Sequence, residues 1–121
     1  MDDLVQFLRD RYDEVERIAR AATPGPWEQT PKRVGCLASA DYWEVVDCSG
    51  TPTARENAEH AAQHDPARVL RDIDAKRQAV GACAEWLHDS TDGIDPCAAS
   101  VLAALALPYA DHPKYKQTWR P

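Results

Sequence analysis

The sequence predicts an α+β fold, mainly α: about four helices, a small antiparallel sheet and an extended C-terminal strap. Three observations predict it. Apolar residues recur at helical spacing in four separate stretches. A β-branched and aromatic stretch, Tyr42-Trp43-Glu44-Val45-Val46, lies between the first two of them. A tail rich in proline and aromatic residues closes the chain.

The first helix is expected over residues 2–22. Leu4, Leu8, Val15, Ile18 and Ala22 share a stripe with Tyr12 between them, and Asp2 or Asp3 can cap the start. The opposite face carries Arg9, Asp10, Asp13, Glu14, Glu16, Arg17 and Arg20, which is the pattern of a solvated surface. Thr23-Pro24-Gly25-Pro26 stops this helix, and Trp27 follows. Short strands are expected at 27–30, 33–38 and 42–48, with a turn at Ser49-Gly50. A sheet of that size is too small to stand alone.

Thr53-Ala54-Arg55-Glu56 reads as a capping box before a helix over 54–64. Asp65-Pro66 then reads as a cap followed by a proline at the first helical position, where its missing N–H costs nothing. The helix it opens should run to about residue 88. Leu70, Ile73, Arg77, Val80, Cys83 (or Ala84) and Leu87 trace its stripe, widened by Val69 and Trp86. Arg77 is the one charge in that stripe. Residues 90–93, Ser-Thr-Asp-Gly, form a loop. Asp95-Pro96 repeats the capping device and opens a helix through about Leu107, so apolar that it should be the central, most buried one. Tyr109, Tyr115 and Trp119, interleaved with prolines, should lie extended and wrap the core, leaving Lys114, Lys116 and Arg120 in water.

A length of 121 residues suits a single domain, 1–121. Hydrophobic residues at 44% and charged residues at 28% are a globular composition. The net charge of −6 argues against nucleic acid and anionic membranes as partners. No apolar run reaches the ~20 residues of a bilayer span. The N-terminus lacks the basic start and apolar stretch of a secretory signal, so the cytoplasm is the expected compartment. Cys36, Cys48, Cys83 and Cys97 are widely spaced and read there as free thiols. The Ala- and Arg-rich bias fits a GC-rich genome.

The sharpest candidate for chemistry is His60-Ala61-Ala62-Gln63-His64. Two histidines four apart on a helix point the same way and can grip one zinc or similar ion. Asp111 and His112 are further ligands if the fold brings them near; Asp65 and His88 are others. Ala61 stands where a zincin has its glutamate, so the general base of hydrolysis is missing. The competing reading makes the paired imidazoles architectural, with His64 at a helix end. No nucleophile elbow is present, and the five scattered glycines build no phosphate loop. A helix-turn-helix over 54–77 would have too short a turn, and Asp72 and Asp74 interrupt its basic residues.

HAAQHDPARVLRDIDAKR (60–77), LPYADHPKY (107–115) and the ending TWRP (118–121) resemble a family of small actinobacterial and actinophage proteins of unknown function. The acidic opening helix and the PGPW turn fit as well, and residues 28–57 are the variable part. The resemblance implies no reaction, cofactor or partner. It places His60, His64, Asp65, Pro66, Asp111, His112 and Trp119 in the signature. The ATPGPW turn and the helix after it also resemble small accessory proteins of phage genomes. The expectation is a non-enzymatic accessory protein acting on a protein partner or on itself. A zinc-binding protein using His60 and His64, with or without hydrolase activity, and a DNA-binding regulator are the alternatives.

Overall fold

The computed structural model describes residues 1–38, 41–89 and 93–121; side chains of 36–38, 41–43 and 89 lie outside the description. So do Ser90, Thr91 and Asp92 of the expected loop. The chain is mainly helical, with four helices and a three-stranded antiparallel sheet, an α+β fold. The elements are α1 (Asp2–Ala21), β1 (Trp27–Thr30), β2 (Arg33–Ala38), β3 (Asp41–Asp47), α2 (Ala54–Gln63), α3 (Pro66–Asp89) and α4 (Pro96–Ala106). Two compact units form: Met1–Val15 with Ile73–Pro121, and Glu16–Asp72.

In the first unit the core is built from three helices and the tail. Leu4, Phe7, Leu8 and Tyr12 of α1, Ile73, Val80 and Cys83 of α3, and Ala98, Leu102 and Ala106 of α4 are buried with Tyr115 and Trp119. Asp95 caps α4, its Oδ1 accepting from the backbone N–H of Cys97 and Ala98 at 2.8 and 3.0 Å. Pro96 follows in the first helical position, so the Asp-Pro device works as its chemistry requires.

The second unit holds the sheet, in the order β1-β2-β3. β2 and β3 carry an irregularity at Val34/Gly35, where the partners step from Val46 to Glu44 and Val45 is the extra residue of a bulge. α2 packs on β1 and β2. Its buried residues, Ala54 and Ala58, are small and one turn apart, which lets helix and strands approach closely. Gln29 adds a tie, its side-chain amide donating to the Arg55 carbonyl at 3.1 Å.

Several local expectations are corrected. The Thr53 capping box does not form: no side-chain cap bond is made there. Asn57 draws the threonines off, since its amide donates to Thr51 Oγ1 at 3.1 Å and its Oδ1 lies 3.4 Å from the Thr53 hydroxyl. Ile18 is exposed, because past Glu16 helix α1 packs through Ala19 instead. Trp86 does not widen the buried face of α3; it is 56% exposed. Helix α4 is one-sided rather than central, with Val101 in solvent, because its Ala-rich stripe is enough to seat it. The tail is not extended. It winds through short 3-10 turns at Leu107–Tyr109 and Gln117–Trp119, with Ala110, His112, Tyr115, Trp119 and Arg120 each donating its N–H to the carbonyl three residues back. Its prolines set the φ that such turns use. Tyr115 and Trp119 are buried and Lys114, Lys116 and Arg120 are exposed.

Candidate functional site

The break between α2 and α3 collects most of the motif residues of the second unit. At the end of α2 the His64 backbone N–H bonds Ala61 three residues back, at 3.1 Å. That tightening leaves the His60 carbonyl without its helical donor. The His64 ring supplies one, with Nδ1 2.7 Å from the His60 oxygen. A carbonyl only accepts, so Nδ1 carries a proton and donates it to the His60 oxygen. The two imidazoles lie with ring centroids 4.4 Å apart, tilted by 36°, and both are exposed.

Asp65 is different: it is buried, at 8% exposure. Oδ1 accepts from the Arg68 N–H at 2.8 Å, and the Asp65 carbonyl accepts from Val69 at 3.0 Å, which makes Asp65 the cap of α3. Pro66 is the first residue of that helix. Oδ2 accepts from the backbone N–H of Trp27 at 3.1 Å, reaching back 38 residues in sequence. One carboxylate therefore starts a helix and holds the chain where it enters the sheet. The Trp27 indole N–H donates to the Thr23 carbonyl at 2.8 Å, closing the Pro-Gly-Pro turn, whose Gly25–Pro26 peptide is cis. Sequence reasoning places Asp65 correctly as a cap but misses Trp27 and Gly25 as its partners. The signal was a glycine set between two prolines.

Asp111 and His112 sit in the first unit, in the turns of the tail. His112 Nε2 lies 2.6 Å from Nη1 of Arg11, and the Lys114 N–H faces Nδ1 at 3.1 Å. Both neighbours are donors, and a neutral imidazole has one lone pair to offer. The shorter, charge-assisted Arg11 contact takes it. An ion at His112 would have to displace Arg11. Asp111 is exposed. Trp119, the last signature residue, is buried with its ring 5.1 Å from that of Phe7. Phe7 also meets Tyr109, His112 and Tyr115 edge-on at 6.4, 5.6 and 6.1 Å. Phe7 and Arg11, one helical turn apart, are thus the receptor for the tail, and neither belongs to a sequence motif.

Among the described residues no group of three or more His, Cys, Asp or Glu side chains could hold a metal ion. His88 Nε2 lies 3.7 Å from Asp2 Oδ1, both side chains being exposed. Cys48, Cys83 and Cys97 are free thiols. Burial pushes the Cys83 thiol above its ordinary pKa, with the Asp95 carboxylate adding to the effect. Cys36 belongs to the residues whose side chains lie outside the description. Among the described residues no helix is long and apolar enough to cross a membrane.

The match to a family model runs from residue 1 to residue 121, the full chain. The chain belongs to the Family of unknown function (DUF6221). No curated protein and no solved structure matches it. The family therefore assigns no activity, and the geometry has to carry any functional reading.

Proposed function

We propose that this DUF6221 protein is a non-enzymatic accessory protein that works by protein–protein recognition. One observation carries the reading. Trp86, Ile94, Val101 and Leu107 are exposed in the first unit, against Ile18 among the described residues of the second. Single exposed apolar residues need no explanation. Here, however, the chain from Pro96 to Ala110 carries no charged side chain at all. The outer face of α4 is therefore neutral in a chain of net charge −6.

A neutral apolar face cannot select its partner by charge; it needs another apolar face. A second copy of this chain has one. This is also where two acidic copies could meet without opposing like charges. Composition favours an actinobacterial or actinophage source and a cytoplasmic setting, where the thiols stay reduced.

Sedimentation of the purified chain tests the reading. Self-association is expected at roughly 10–100 micromolar, the range of a small apolar interface. Val101→Asp with Leu107→Asp should give a monomer of unchanged helix content. A wild-type chain that stays monomeric through this range and beyond overturns it.

A further inference from the structure

The two imidazoles at the end of α2 are held differently. His64 is fixed, its ring donating from Nδ1 to the His60 carbonyl at 2.7 Å. The His60 ring is exposed and makes no hydrogen bond among the described residues. It has the His64 ring beside it, with centroids 4.4 Å apart. A purely architectural joint accounts for the first ring and not for the second. In a neutral His64 the donation from Nδ1 leaves the lone pair on Nε2. A ring N–H given to a backbone carbonyl is also how proteins orient a histidine that binds a metal. One arm of a clamp is thus set, and the other is free to turn toward it.

We propose that His60 and His64 together hold one divalent transition-metal ion, zinc or one of its neighbours, with water in the remaining positions. Imidazole nitrogen suits zinc, nickel and copper, whereas magnesium and calcium take oxygen ligands. Two nitrogens at ~2.0–2.1 Å from one ion stand about 3 Å apart, which side chains one helical turn apart can reach. Among the described residues no third ligand completes the set. Both oxygens of the adjacent Asp65 already accept from the backbone, at Arg68 and at Trp27. The site is therefore open and its ion exchangeable, unlike a closed four-ligand zinc site. A net charge of −6 favours the approach of a dication. His60 lies in the last turn of α2 and His64 is its C-cap, so an ion across them ties down that helix end. The pair belongs to the second unit and the α4 face to the first, so metal binding and self-association stand or fall separately.

The test is a zinc titration of the full chain at about pH 7.5, with a thiol-free reductant, read by NMR at the imidazoles of all 4 histidines. This readout is blind to zinc taken up by thiols. His60 and His64 should shift together and saturate at roughly 1–100 micromolar, weaker than a closed site because water supplies half the ligands. His88 and His112 should stay in place. His60→Ala should weaken the response of His64 at least about tenfold, a single imidazole being left. Without zinc that variant should melt no lower than the parent, since Ala suits an exposed helix position. Zinc should raise the midpoint of the parent more than that of the variant. No saturable shift at either ring up to about 1 millimolar zinc overturns the site. Full affinity at His64 in His60→Ala overturns it too, as does an equal response at His88 or His112, the mark of adventitious binding to any imidazole. Displacement of the zinc by an about tenfold excess of magnesium overturns ligation by nitrogen.

Discussion

Gly25 and Asp65 fit one another with no room to spare: a β-carbon on Gly25 would stand 2.6 Å from Asp65 Oδ2. That oxygen cannot retreat freely, because it also accepts from the Trp27 N–H. Gly25→Ala should therefore destabilise the chain by about 1–3 kcal/mol, the range of overpacking. Asp65→Ala removes the cap of α3 and orphans the Trp27 donor, for a loss of about 2–4 kcal/mol. In the Asp65→Ala background the added alanine at 25 meets the Ala67 β-carbon at 3.5 Å, an ordinary contact, and should cost little. Urea unfolding of the four variants checks this. Costs that simply add would show that the two residues do not share one constraint.

The tail hangs on Phe7. Trp119→Ala and Phe7→Ala should each cost about 3–5 kcal/mol, as for other buried large aromatics. The rings are 5.1 Å apart, so the double variant should lose clearly less than the two losses together. Denaturant midpoints of the three variants decide it. A Trp119→Ala protein as stable as the parent would mean that the tail does not belong to the core.

Most of the fold was legible because it is written in local chemistry. Asp65-Pro66 and Asp95-Pro96 each start a helix, and the β-branched and aromatic residues from Tyr42 to Val46 mark a strand by themselves. What stayed hidden were choices between neighbours on one face. Periodicity puts Ile18 and Ala19 almost equally well toward a core, and only the packing partners select Ala19. Thr53 loses its capping role to Asn57, a competitor that the capping pattern does not contain. Composition made α4 look central, yet hydrophobicity says that a residue can be buried, not that enough partners exist to bury it. At the site, Asp65 was legible as a cap. Its second bond, to Trp27, is a tertiary contact across 38 residues and leaves no trace in spacing.

The cysteines should divide by access. Cys97 is exposed and Cys83 buried, and burial holds the Cys83 thiol in its unreactive protonated form. Under native conditions a thiol reagent should label Cys97 quickly, while Cys83 reacts only at the rate of opening. Peptide mapping after a timed alkylation pulse reads this directly. Equal labelling of the two would place Cys83 outside a stable core.

Asp3 links the start of α1 to the tail, accepting from the Lys116 ammonium at 2.6 Å. That hydrogen bond is the main cause of its lowered pKa, helped by the Leu4 N–H and by the charges of Lys116 and the N-terminus. A carboxyl whose pKa is depressed by folding contributes stability that is present above its unfolded value, about 3.9. The contribution is lost as pH falls through the folded value. Both side chains are about half exposed, so it amounts to under about 1 kcal/mol and weakens with salt. Asp3→Asn retains an oxygen for the Leu4 N–H but loses the charge. The parent should be the more stable at pH 6 and low ionic strength. The difference should shrink below about pH 4, where the parent carboxyl protonates and becomes neutral like the amide. Paired thermal melts from pH 6 to pH 2.5 measure it. A gap that stays constant over that span would mean that the Lys116 contact contributes nothing through charge.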